Sequence, residues 1–536
     1  MQTVPVLIAG GGPVGMTLAK LLAGFGIRCM LVERNPSTTV HPKMDITNAR
    51  SMELFRKAGV VDQLRAVAVP TANNFDVTWI TSLVGHELHR FRYDSVDQWR
   101  ERIIAAKDGS MPREAPMRVS QVEIEPVLAT AIRAEPLVEA RWSVGFESFE
   151  QDAEGVTATL RHTASGEVEQ VRCQYLAGCD GGASNVRRGL GVKLEGTAAV
   201  MPRFMTHFRS DDRLLTQRFG QAWHYQSGFG TIIAQDDVNT WTLQSRFPPG
   251  VAPEDADPHA MLRAFAGTDF QYEILVANHW TPHLLVAESY GQGRVWLAGD
   301  AAHQYIPTGG YGMNTGIGDA MDLAWKLAAA VRGIAGPALL PSIHGERHPI
   351  GLRNRAGSAR HTDVRIEIGK LYTDYGERLH APGPDGDAAR AECGEKIGAL
   401  GNAENEGWGI EYGYCYRNSP LIHGDGSEAP DDPFAYTPTT VPGVRLPSVL
   451  LDDGSALYDQ LGPWFTLLAV GVTPSDAIVR AARRMGMPLT ILAPSDPWLA
   501  DVYGRQMLLV RPDQHIAWRG TDCAEPELML RRCLGW

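Results

Sequence analysis

The sequence has no CxxC pair, no long apolar run and no surplus of positive charge, and each absence removes a class of function. Its seven cysteines (Cys29, Cys173, Cys179, Cys393, Cys415, Cys523 and Cys533) are odd in number and scattered through 536 residues. Reduced thiols in a cytoplasmic protein fit this better than a disulfide framework. No charge-free apolar stretch reads as a membrane span. The first apolar run lacks a basic flank and leads straight into a glycine turn, unlike a signal peptide. A net charge of −12 does not suit generic attraction to a nucleic-acid backbone. No HxxxH comes with a third ligand and no cysteines cluster, so no metal site is expected. Ser184 and Ser227 lack the context of a nucleophile elbow.

What is present is an ordinary globular composition, 44% hydrophobic and 21% charged, with a length that suits two to four domains. Residues 4–9, VPVLIA, read as a strand. GGGPVG follows, with Gly10, Gly12, Pro13 and Gly15 in a G-x-G-x-x-G turn. A helix with Leu18, Leu21 and Leu22 on one face comes next, then a second strand ending at Glu33 and Arg34. Together these form a dinucleotide-binding device. Gly10 permits the tight turn, Gly12 lets backbone approach a pyrophosphate, and Gly15 lets helix and strand pack closely. Glu33 stands where a carboxylate accepts hydrogen bonds from an adenosine ribose. This motif alone does not choose between FAD and NAD.

Two later segments choose FAD. YLAGCDGGASNVRR, 175–188, ends a strand at Asp180, which reads either as a cofactor residue or as a cap on the next helix. RVWLAGDAAHQYIPTGGYGMN, 294–314, ends a strand at Asp300, passes through a loop containing Pro307 and Gly310, and starts a long helix at Gly312, Met313 and Asn314. Asp300 suits a ribityl chain. The helix start offers N–H donors and a favourable dipole to the flavin pyrimidine edge.

These three motifs, in this order, resemble the group A FAD-dependent aromatic hydroxylases, and most of all the branch of phenol hydroxylase and 3-(3-hydroxyphenyl)propionate hydroxylase. The resemblance covers roughly residues 1–370. It implies an α/β fold: a Rossmann-like FAD domain (1–75, 100–190 and 285–370) interleaved with a substrate-binding sheet domain (76–99 and 191–284). A linker or helical segment (371–437) and a thioredoxin-like domain without CxxC (438–536) complete it. It also implies Arg50 near the FAD pyrophosphate, and Arg118 and Gln121 near the FAD linker. Pro307 matches a proline whose carbonyl faces substrate and flavin; the family's preceding proline is Ile306 here.

The implied chemistry is hydride transfer from transient NADH or NADPH to tightly, non-covalently bound FAD. Oxygen then gives a C4a-hydroperoxide, which a phenolic ring attacks, ortho to an existing hydroxyl. The expected partners are therefore a small phenol and O2, with a homodimer possible and neither nucleic acid nor membrane involved. Asp45, five residues before Arg50, matches an aspartate of the phenol hydroxylases and is the first candidate base. His224 and Tyr225, with Trp223, are candidates to line the pocket from a strand, although one face of each strand must point elsewhere. His303 reads as a residue near the flavin or a loop cap. The competing readings are polyketide or antibiotic oxygenation, including Baeyer–Villiger insertion, a nonenzymatic flavin module, and a nicotinamide dehydrogenase.

Overall fold

In a computed structural model of the chain, residues 1–248 and 250–536 are described. The strand Gln2–Ala9 lies at the centre of an eight-stranded sheet. It is flanked in parallel by Cys29–Glu33 and Val168–Gly178, with Val295–Leu297 beyond the latter. Val6, Leu7, Ile8 and Ala9 are all fully buried, as a parallel strand covered on both faces requires. The helices Pro13–Gly24 and Tyr311–Val331 contribute Met16, Leu18, Ile317 and Met321 to the same core.

A seven-stranded sheet forms the second layer, in the order Glu273–Trp280, Arg203–Arg209, Thr240–Ser245, Gly230–Ala234, His224–Gln226, Val77–Ile80, Glu87–Phe91. One face packs Phe208, Tyr225, Trp241 and Leu243 against Phe265 of the helix Pro258–Ala266. The other face is turned to a cavity. The DDVN segment makes the expected turn, with Asp237 in the left-handed region at φ 59°. Residues 191–284 do not all join this sheet. Leu194–Thr197 pairs instead with Leu284–Ala287, which pairs with His303–Gln304.

The segment 371–437 is more structured than a solvated linker. The 34-residue helix Ser342–Tyr375 runs into it, and Pro384–Leu400 and Trp408–Tyr412 are helical. Ala389, Cys393 and Ile397 are buried against Trp79 and Ile368. The C-terminal sheet runs Leu489–Leu492, Phe465–Val470, Gln506–Val510, Ile516–Gly520. Its first pair is parallel and the other two antiparallel, with helices between and after the strands. This βαβαββα order is the thioredoxin arrangement, here without a cysteine pair. Buried arginines fasten it to the rest of the chain: Arg511 to Glu346 at 2.6 and 2.8 Å, and Arg445 to Glu53 at 2.6 and 3.0 Å. Among the described residues, no helix is long and apolar enough to cross a membrane.

Candidate active site

The glycine turn is shaped by close approach. A β-carbon on Gly15 would collide with the Gly10 carbonyl, and one on Gly10 with the carbonyl of Cys179. Gly12 meets nothing within 4 Å, so its side of the turn is open. The Glu33 carboxylate accepts from Gly11 N and Asn35 N, both at 2.8 Å, which holds it at the rim of that opening.

Asp300 faces a cavity of about 560 Å³ and has no hydrogen-bond partner among the described residues. Enclosure pushes its carboxyl up, while His303 and Lys43 pull it down. Gly310, left-handed at φ 64°, leads into the helix Tyr311–Val331, whose first N–H groups receive no side-chain cap. Asn314 braces this end, donating to Gly310 O at 2.7 Å and Ile46 O at 3.1 Å and accepting from Asn48 N at 3.1 Å. An open glycine turn, a ribose-ready carboxylate, an unpartnered acid and an uncapped helix start fit FAD. Gly12, Glu33, Asp300 and the helix start at Gly312, Met313 and Asn314 would hold it.

The opposite wall comes from the second sheet. Trp223 Nε1 donates to Asp45 Oδ2 at 2.6 Å, and His224 Nε2 lies 3.4 Å from the same oxygen. The His224 Nδ1 atom is buried without a partner. Pro307 lines the cavity too; its carbonyl accepts from Gly310 N at 2.9 Å and closes the loop. Where the family has its first proline, the Ile306 carbonyl is fixed by Ser358 Oγ at 2.9 Å.

The FAD binding domain family matches residues 3–356, and the aromatic-ring hydroxylase C-terminal family matches residues 439–536. This chain belongs to the FAD-dependent aromatic hydroxylases. The hydroxylase is similar to the FAD-dependent monooxygenase apdD of Emericella nidulans, at 35% identity over 97% of this chain and 88% of that one. It is also similar to 4-methyl-5-nitrocatechol 5-monooxygenase of Burkholderia sp, at 32% over 99% and 97%. A solved structure of the flavin-dependent monooxygenase PieE with FAD and substrate matches with a TM-score of 0.89, at 29% identity over 99% of this chain and 98% of that one. The hydroxylase is thus an FAD-dependent monooxygenase, an oxidoreductase.

Several expected site residues are occupied elsewhere. Tyr225 points into the core: its hydroxyl donates to Gly220 O at 2.6 Å and accepts from Ala222 N. Successive strand residues alternate faces, so within the strand His224–Gln226, Tyr225 takes the face opposite the cavity. Arg50 is committed to the C-terminal domain through Gln514 and the Asp513 carbonyl, and to Glu53. Arg118 clamps the second sheet, bonding Asp237 at 2.6 and 2.8 Å and the carbonyls of Asn74 and Ala234. Gln121 donates to Glu125 at 2.7 Å. Asp180 is a helix cap, accepting from Ser184 Oγ, Asn185 N and Val186 N. Arg34 is exposed. His303, fully buried, is locked to Asp319 at 2.7 Å.

Sequence reasoning missed Lys43, Arg203, Arg246, Arg365, Glu404 and Glu411, all of which line the cavity. Lys43 lies two residues before Asp45 in the segment HPKMDITNAR, 41–50. Glu404 and Glu411 fall in a stretch whose Gly, Asp and Glu content resembles solvated linker, so composition gave no signal for them.

Proposed function

We propose that this monooxygenase uses NADH or NADPH and O2 to hydroxylate a phenolic ring ortho to an existing hydroxyl. The observation that carries the reading is the Asp45 carboxylate on the cavity wall. Its Oδ2 is held by Trp223 and approached by His224, while Oδ1 has no partner among the described residues. A phenol becomes electron-rich enough for oxygen transfer as its proton leaves, and Asp45 Oδ1 is placed to accept that proton. The Trp223 bond keeps its geometry. When bound and reduced, FAD supplies the activated oxygen atom. The sheet, the Pro307–Gly310 loop and the helix Trp408–Tyr412 enclose the cavity and keep water from competing.

A second reading, oxygenation of a polyketide, including Baeyer–Villiger insertion, draws on the size of the cavity. The cavity's 560 Å³ includes the flavin side at Asp300 and Gly310, and beyond it the space runs along the sheet wall to Met205 and Gln244.

The test is NAD(P)H oxidation in air by the purified flavoprotein over a panel of phenols, with products identified by mass and NMR. A rate increase with one added oxygen beside the hydroxyl supports the proposal. Stimulated oxidation that yields only hydrogen peroxide, or no response to any phenol, counts against it. Oxygen inserted between carbons would move the assignment to the second reading.

A further inference from the structure

The far end of the cavity carries positive charge that no acid among the described residues answers. The ladder sets Phe204 opposite Ser245, so Arg203 and Arg246 are the next opposed positions on neighbouring strands. Both side chains line the cavity, with Met205 and Gln244 on the same face. Like charges directly opposite each other in a sheet repel. Enclosure first, then the neighbouring charges of Arg246 and Arg365, lower Arg203 to about 10. The acids on the cavity wall are Asp45, Asp300, Glu404 and Glu411, and none of them bonds either arginine. Glu404 is taken by Arg365 at 2.6 Å and by Gln226 at 3.3 Å.

The spacing from the chemistry follows from the fold. Register carries His224 to Ile233 and Ile233 to Thr242, so the Asp45–His224 end stands level with Thr242. Arg246 is four residues further along that strand, about 13 Å away. On the opposite wall, Thr362 lies 3.2 Å from Thr308 of the flavin-side loop, and Gly369 packs against the Arg246 guanidinium. The seven helical steps from Thr362 to Gly369 span about 10 Å.

We propose that Arg203 and Arg246 form an anion clamp, and that the substrate is a phenol bearing a carboxylate at the far end of an extended body, about 10–13 Å from the ring hydroxyl. The clamp neutralises the opposed pair, and bidentate contact with planar guanidinium sets the orientation of the ring. This rests on the phenol reading above and narrows it, because a simple phenol cannot reach both ends.

The test compares 4′-hydroxybiphenyl-4-carboxylate with its carboxamide, by equilibrium dialysis against the FAD-loaded enzyme. The carboxylate should bind about tenfold tighter or better. In Arg203→Gln, and separately in the exposed-site variant Arg246→Gln, the preference should fall to about twofold or less, with flavin content and melting temperature kept. Equal binding of the two probes, no binding of either, or a preference that survives the double variant overturns the clamp. Hydroxylation of both probes with the same KM also overturns it and leaves the phenol reading standing. Clamp-dependent binding without oxygenation supports the clamp and overturns the phenol reading.

Discussion

Trp223 donates its indole N–H to the Asp45 carboxylate at 2.6 Å, joining residues 178 positions apart. Removing the acceptor with Asp45→Asn should lower product formation by about 10²–10⁴-fold, the usual worth of a positioned base. Flavin content should hold. Trp223→Phe removes the bond that orients the carboxylate, so product formation should fall by about tenfold with flavin content kept. Unchanged product formation in both variants would remove Asp45 from the reaction.

Asp300 has no hydrogen-bond partner among the described residues and looks into the cleft. Asp300→Ala should weaken FAD retention by about tenfold or more, read as the ratio of flavin to protein absorbance after dialysis. Asp180→Ala should differ in kind. It leaves the Asn185 and Val186 N–H groups at the start of the helix Asn185–Gly189 without their acceptor and costs about 0.5–2 kcal/mol of stability, with flavin binding much less affected.

Glu411 lines the cavity with no bonded partner for its carboxylate among the described residues, and burial pushes its carboxyl up from 4.5 to about 8. The folded state therefore holds a proton that the unfolded chain releases. The stabilisation is complete below pH 4.5 and is lost as pH rises through about 8. Denaturant titrations of wild type and Glu411→Gln should show wild type losing stability relative to the variant across that window. Parallel curves would show that the acid is solvated.

Arg511, Glu346, Lys326 and Asp322 form a buried ionic cluster between the FAD domain and the C-terminal domain. Arg511→Met leaves Glu346 short of a partner in a dry environment. The expected loss is about 3–5 kcal/mol, seen as a lower melting temperature.

Tyr225→Phe tests the face assignment. Losing the bond to Gly220 should cost about 1 kcal/mol, with kcat and KM for a turned-over phenol near wild type. A large fall in activity at full flavin content would return Tyr225 to the site.

The sequence by itself determined the parts of this protein whose chemistry is local. The glycine turn, the strand ending at Glu33 and the Asp300 loop with its following helix each complete a physical task within one short stretch, so spacing and residue type reveal them. The thioredoxin-like domain near the C-terminus was implied by resemblance, and its βαβαββα order is seen only in the fold. Tertiary structure alone decided which residue of each strand faces the cavity. Period-two alternation sets His224 and Tyr225 on opposite faces, but the packing of Phe265 and Trp241 chose the core face. It also decided where the charges go. Arg50, Arg118 and Asp180 resemble cofactor residues in sequence, yet their partners at 513–514, 237 and 184–186 satisfy them first. Arg203 and Arg246 look ordinary in sequence, and only the sheet register sets them opposite one another with no acid between them.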